Sequence, residues 1–342
     1  MRSIVIGGGV AGLAAAIQLA ADGHEVMLVE RRDTLGGRVR MREKSRWLLD
    51  PGLHLLRRKG AMNQLLRKLR APRVLGPRWD ERNFNPIGCD NRRALAALTT
   101  MSTELMPDKT PQFVIPRGGW SSLVGRMIAA ANQVGVTFDS GSTAESLNLD
   151  SSGRVSSVRI SGKDIECDAV VLATPPSVSA RLLESAGLDT SPLDACTEHR
   201  VAALDVALEG RPMRPFSGLF DEESGIVAVD MTSPDRIPEG VDPDSCTILH
   251  AVNLSGHGPE ALAQIKQLLD SRCSGWRNMT SSRRSTESIL LHPCSHEQRV
   301  DATVYIDAGI SLAGAHVFSD YYLSDAAVDT GRAAAKALTK NH

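Results

Sequence analysis

Three glycines carry the first chemical signal in this chain. Gly7, Gly9 and Gly12 stand at G-x-G-x-x-G spacing in Ile4-Val5-Ile6-Gly7-Gly8-Gly9-Val10-Ala11-Gly12. Gly7 permits a tight turn. Gly9 has no Cβ to hold a pyrophosphate away from the backbone, and Gly12 lets a helix close on a strand. A carboxylate follows at Glu30, eighteen residues past Gly12. An acid near that distance meets the hydroxyls of an adenosine ribose. The chemistry these residue types serve is the binding of a dinucleotide.

The elements that must position them are legible on either side. Ser3 to Ile6 is a β-branched apolar run that predicts a buried strand. Leu13 to Ala20 is alanine-rich and predicts a helix. Its N-terminus, with Val10 and Ala11 in the turn, offers N–H groups and a partial positive charge to phosphates. Glu25 to Val29 predicts a second strand that delivers Glu30.

Beyond Glu30 the chain reads Arg31-Arg32-Asp33-Thr34-Leu35-Gly36-Gly37-Arg38. Paired glycines suit a loop that folds back over a diphosphate, where Arg38 can pair with it bidentately. This E-R-R-x-x-x-G-G-R continuation resembles the flavin-containing amine oxidase superfamily, which includes amine oxidases, protoporphyrinogen oxidases and phytoene-desaturase-like enzymes. The resemblance implies FAD. It implies an α/β fold: a Rossmann-like FAD-binding domain of the GR2 type with an inserted α+β substrate domain.

Further stretches extend the resemblance. Asp50-Pro51-Gly52-Leu53-His54 is similar to a d-x-G-x-h segment that lies near the flavin in the family. His54 is a candidate for touching flavin or substrate, and a loop histidine that merely packs is the other open reading. Pro116-Arg117-Gly118-Gly119-Trp120 resembles the element that returns the chain to the flavin domain. Asp168 to Pro176 resembles a-D-x-V-V-x-A-x-P, which puts Ala173 and Thr174 near the dinucleotide, and Ala144 falls where the family touches adenine through its backbone. Ala313-Gly314-Ala315 and Asp325-Ala326-Ala327 fall on the second flavin signature. The resemblance aims the N-terminus of the helix starting at Asp325 at the flavin N1–C2=O end. There the dipole favours negative charge developing on reduction. The family's aspartate after A-G is Ala315 here, which removes a polar contact worth roughly 1–2 kcal/mol. His316 is the neighbouring candidate to replace it. His316 and Tyr322, with His54, are the candidate catalytic residues.

Between these signatures the sequence suggests two regions. The FAD-binding part takes 1–56, 116–177 and 300–342, and the substrate part takes 57–115 and 178–299. Thr143 to Leu149, Val155 to Ile160 and Lys163 to Glu166 read as a β-meander. Val201 to Glu209, Gly225 to Met231, Cys246 to Leu254 and Ser288 to His292 read as strands of an antiparallel sheet. Glu260 to Cys273 reads as its covering helix, and Leu95 to Met106 as a further helix.

Composition narrows the function. With 39 basic and 40 acidic residues, nothing global points to nucleic acid. The six cysteines have no C-x-x-C and no metal-like spacing, so they read as reduced thiols of a cytoplasmic protein without a metal. No apolar run is long enough to span a membrane. The stretch 57–73 is strongly basic, with Met62, Leu65, Leu66 and Leu69 on one helical face. Two readings are open for it: a helix lying on an anionic membrane surface, or a surface helix with a solvated basic face. No second G-x-G-x-x-G follows a strand after residue 40, which argues against enzymes with a dedicated NADPH domain. The expected activity is hydride removal from a lipophilic small molecule, with oxygen or a quinone as acceptor. An amine substrate is the alternative, with Tyr321 and Tyr322 as half of an aromatic cage. A weak or non-catalytic flavin-binding scaffold is a third reading, motivated by Ala315.

Overall fold

The first strand is the centre of the cofactor-binding core. In the computed structural model, which describes residues 1–39, 46–49, 52–53, 55–70, 75–107 and 112–341, and for 75–77 the backbone alone, Ser3 to Ile6 are buried. The strand Arg2–Ile6 pairs in parallel with Glu25–Glu30 on one side and Ala169–Leu172 on the other. Thr137–Ser140 and Ile310–Leu312 complete a five-stranded parallel sheet. Its strands are apolar runs because helices or a second layer cover both faces.

On one face lie the helices Val10–Ala21, Gly119–Gln133, Leu323–Lys340 and Ala61–Lys68, which share one apolar cluster. The helices Val10–Ala21 and Leu323–Lys340 cross at small residues. A Cβ on Gly331 would overlap the Ala11 carbonyl. On the other face lie the antiparallel meander Ala144–Leu149, Val155–Ile160 and Lys163–Glu166 and the helix Pro176–Ser185.

A second, six-stranded sheet has the order Thr280–His292, His199–Leu208, Thr247–Asn253, Ile226–Asp230, Gly218–Asp221, Phe84–Ile87. It is antiparallel except for the last pair, which is parallel. Both faces are covered. Ala202, Leu204, Val206 and Leu208 face the helix Pro259–Arg272, while Val201, Ala203 and Ala207 face a cluster containing Trp47, Trp79, Leu95 and Phe113.

Several expectations change. The helix expected over Leu95 to Met106 is Asn91–Thr100. Asp90 caps it by accepting the Arg93 N–H at 2.7 Å, and Met101 ends it with a left-handed φ of 51°. The strand expected at Ser288 to His292 begins at Thr280, in a polar stretch that is exposed on alternate residues. Packing also departs from the boundaries drawn at 57 and 178. Met62, Leu65 and Leu66 join the cofactor-side core, as do Leu182 and Leu183. The apolar face of Ala61–Lys68 is therefore spent inside the protein and is not offered to a bilayer. Arg58, Lys59, Arg67 and Lys68 remain exposed. Among the described residues, no helix is long and apolar enough to cross a membrane.

One polar cluster interrupts the apolar layer of the second sheet. Asp205 and His250 are cross-strand neighbours, with Oδ1 and Nδ1 2.5 Å apart and both side chains buried. His250 Nε2 lies 3.3 Å from Arg236 Nη2. A guanidinium only donates, so Nε2 accepts and Nδ1–H donates to Asp205. The cluster holds a passing loop: Arg236 Nη2 donates to Leu48 O at 3.2 Å, and Gly52 N donates to Asp205 at 3.3 Å. Removing one member of a buried charged set leaves the others uncompensated. Asp205→Ala should therefore cost about 3–5 kcal/mol in urea denaturation, and Asp205→Asn less.

Candidate active site

The glycine turn is confined on three sides. Gly7 has φ +109°, and its N–H donates to Val29 O at 2.8 Å. A Cβ on Gly7 would sit 2.6 Å from Ala173 O, and one on Gly12 would overlap the Gly7 carbonyl oxygen. Gly8, which the spacing leaves unspecified, is equally constrained. Its N–H donates to Glu30 Oε2 at 2.8 Å, and a Cβ would strike Leu35 and Glu30. Gly9 differs. It precedes the helix with an ordinary φ of −79°, and an added Cβ would meet only Gly37 Cα, at 3.9 Å. The open side of the turn is thus at Gly9, beside the free N–H groups of the helix start.

The loop after Glu30 folds back onto this turn. Gly36 N–H donates to Gly8 O at 2.8 Å. Gly37 has φ +58°, and a Cβ there would come 3.0 Å from Gly9 Cα. Arg38 follows. Its Nη1 donates to Leu291 O at 3.0 Å, linking the loop to the end of the long edge strand. The guanidinium is surrounded by protein, and this burial lowers its pKa, yet the residue keeps an exposed surface. Arg38 is thus enclosed by protein while part of its surface still meets solvent beside Gly37.

Glu30 is buried and braces the turn, accepting from Gly8 N and, at 3.1 Å, from Arg32 N. Arg31 points outward. Gly141 N and Ser142 N donate to Arg32 O and Glu30 O. This brings the turn before Ala144 to the same end of the cleft as Glu30. Ala173 N donates to Ile6 O at 2.9 Å, and Thr174 Oγ1 lies 2.7 Å from Ser179 Oγ. Gly314 N donates to Thr330 Oγ1 at 3.0 Å, fastening the end of the last parallel strand to the last helix.

Ala315 is buried, so no carboxylate stands there. His316 is buried too, folded back against Gly314. Burial, aided by the Arg38 charge, pushes its pKa down to about 3, so the ring is neutral. Among the described residues its Nε2 has no hydrogen-bond partner. His292, at the end of the edge strand, is likewise neutral. Burial is the main cause, and its pKa falls to about 4. Tyr322 stacks on His296 with ring centroids 5.6 Å apart and carries the Arg299 guanidinium 5.7 Å from its ring. Tyr321 carries Arg57 at 5.3 Å. His54 lies outside the described residues. His292, Arg299 and Arg57 have no short-range sequence signal; they reach the site through strand register and long-range packing.

Asp325 turns away from the turn of glycines. Its Oδ1 accepts Met62 N–H at 2.8 Å, and Arg57 Nε lies 3.7 Å from Oδ2. A Cβ on Gly60 would overlap this carboxylate. Asp325 therefore caps the neighbouring helix from outside, and the last helix offers the cleft its backbone first turn, with Ala326 and Ala327 buried behind it.

Two family models match this chain: an NAD(P)-binding Rossmann-like domain over residues 5–69, and a flavin-containing amine oxidoreductase over residues 81–200. Over residues 81–200 the chain is similar to the flavin-containing amine oxidoreductases. A stretch of 52 residues is 44% identical to 4,4'-diapophytoene desaturase of Staphylococcus aureus, covering 15% of this chain and 10% of that one. The match thus spans about a tenth of the desaturase. Solved structures share the whole fold at low identity. An oxidoreductase from Methanosarcina mazei aligns with TM-score 0.75 and 13% identity over 97% of this chain and 99% of that one. Cyclohexylamine oxidase from Brevibacterium oxydans aligns with TM-score 0.66 and 14% identity over 99% and 98%. The superfamily's cofactor is FAD, and the cleft fits it. The open Gly9 face and helix start suit a diphosphate, Arg38 supplies a cation on the wall, and the buried His316 Nε2 awaits a polar partner.

Two expectations follow. Gly9→Ala should fold with a near-normal melting temperature yet bind FAD about 10–100-fold more weakly in a fluorescence titration, whereas Gly12→Ala should lose more than about 1–3 kcal/mol of stability. The second concerns Asp325. Burial raises its pKa to about 6, against Met62 N–H and Arg57, which lower it. The folded pKa lies above the ordinary 3.8, so this group favours folding below that value, and the benefit is lost as pH rises through 6. Asp325→Asn keeps an acceptor for Met62 without the charge. Relative to wild type it should gain stability between pH 4 and 7, by up to about 3 kcal/mol, as read by melting temperature against pH.

Proposed function

We propose that this protein is an FAD-dependent oxidoreductase that removes hydride from a small molecule with an apolar body and a neutral or anionic head. Bound FAD supplies the hydride-accepting chemistry. Gly7 to Gly12, Gly36, Gly37 and Arg38 hold its diphosphate. Glu30 and the Ala144 turn flank its adenosine, Ala173 and Thr174 its middle, and the first turn of the last helix its ring. His316, neutral and buried, donates or accepts one hydrogen bond toward the cofactor in place of the missing aspartate. It does not act as a proton donor at neutral pH, because its pKa lies near 3. Tyr322 is a wall residue held by His296 and Arg299.

The observation that carries the substrate class is the charge around the two tyrosines. Each ring is covered by an arginine, at 5.3 and 5.7 Å. An aromatic amine cage needs ring faces for its cationic ligand; here protein cations occupy them, and the nearby Asp325 carboxylate is already paired with Arg57 and Met62 N–H. An ammonium substrate would meet repulsion, while a carboxylate or an uncharged apolar body would not. The amine reading keeps the support of the family model's description and of the fold shared with cyclohexylamine oxidase. Any membrane contact would rest on the exposed basic residues around Arg67, by charge alone.

The test is the visible spectrum of the purified protein with FAD, followed by anaerobic addition of candidates. Flavin bands that bleach with an apolar polyene or a carboxylated porphyrinogen-type macrocycle, and persist with primary amines, support the proposal. Bleaching by amines alone overturns the substrate class. Failure to take up FAD makes the scaffold reading the leading one.

A further inference from the structure

The chain crosses four times between its two large sheets, and the last two crossings come together in space. It leaves the cofactor side after the short helix Ser191–Asp194 and enters the strand His199–Leu208; it returns after Thr280–His292. Each connector carries one cysteine, and the fold brings the two together. Cys294 Sγ donates to Gln298 O at 3.0 Å, and Cys196 Sγ approaches the same oxygen at 3.9 Å. The side chain of Gln298 adds a third tie, with Thr197 N donating to its Oε1 at 3.1 Å. Cys294 is buried, whereas Cys196 is half-buried between exposed residues. One thiol of the pair is thus open to a small reagent and the other waits behind it.

We propose that Cys196 and Cys294 are a peroxide-reactive pair that closes to a disulfide between the two connectors. The direction of attack follows from their surroundings. A hydrogen bond from Cys294 to Cys196 lowers the pKa of Cys196, and the same contact together with burial raises that of Cys294. The Cys196 thiolate attacks one oxygen of hydrogen peroxide, the O–O bond breaks, and hydroxide leaves to take up a proton. Cys196 is then a sulfenic acid. The Cys294 sulfur attacks it, the S–O bond breaks, and the oxygen leaves as water with the thiol proton. Two thiols give up two electrons, and one peroxide becomes two waters. In the resting thiol state Gln298 O gathers both sulfurs beside one acceptor. The tie would lock the crossing next to Arg299, which holds Ser319 O and Tyr321 O at 3.1 and 3.2 Å on the wall of the cleft. That the protein generates its own peroxide rests on the oxidase reading above; the thiol chemistry does not.

The experiment treats the full-length protein with stoichiometric hydrogen peroxide, alkylates it and maps peptides. The expected product has lost two hydrogens, returns to starting mass with dithiothreitol, and yields a cross-linked peptide joining Cys196 and Cys294, with the other four cysteines still alkylated. Cys294→Ser should stop at a Cys196 sulfenic acid that dimedone traps. Cys196→Ser should leave Cys294 alkylatable. The proposal is overturned if other cysteines oxidise while these two stay alkylatable, or if Cys294 oxidises first in Cys196→Ser. A pair that closes with reagent peroxide in protein that takes up no FAD supports the thiol assignment and fails the flavin reading. Closure under turnover with oxygen, suppressed by catalase, supports both.

Discussion

The structure depends on a backbone that passes through a space with no room for side chains. Between the first strand and the first helix, Gly12 lies so close to Gly7 that a methyl group on it would overlap the Gly7 carbonyl oxygen, and Gly7 is pressed against Ala173 O. This close approach does two things at once. It lets the first helix lie on the sheet, burying Leu13, Ala16 and Leu19, and it points the helix start at the mouth of the cleft. Packing and ligand binding are therefore coupled at one turn. Glu30 extends the coupling: the carboxylate that can meet a ribose also bonds Gly8 N and Arg32 N, so it shapes the turn before it touches any ligand.

Charge is arranged around that turn with few opposing partners. Arg38, Arg299 and Arg57 stand along the wall, and the two buried histidines nearest to them are held neutral by burial and by the arginines themselves. Two carboxylates in the region are spent on backbone N–H groups: Glu30 accepts from Gly8 N and Arg32 N, and Asp325 accepts from Met62 N and pairs with Arg57. A wall of arginines of this kind suits an anionic diphosphate.

What could be read from the sequence was whatever depends on near neighbours in the chain. The glycine turn, the two flanking strands, the Gly36–Gly37 loop and the β-meander all show local spacing or alternation, and the parallel sheet follows from their order. Features set by register or by long-range packing were not legible. Asp205 and His250 are ordinary residues in two separate apolar runs, and only strand pairing makes them neighbours. The edge strand from Thr280 was missed because both its faces are partly exposed, which leaves Ser281, Arg283 and Ser285 without apolar alternation. Asp325 was placed on the right helix, but its side chain turns to Met62 because an unfilled helix start lies there. Ala61–Lys68 shows its amphipathic pattern in the sequence; what buries the apolar face is protein, which periodicity alone cannot specify.

The central claim is that the turn from Gly7 to Gly12, closed by Gly36 and Gly37, is a flavin dinucleotide site. The most direct measurement is an equilibrium titration of the cofactor-stripped protein with FAD, followed by flavin fluorescence, with NADH as competitor. The account predicts saturable one-to-one quenching that NADH does not reverse. Absence of quenching, or ready displacement of FAD by NADH, would contradict it.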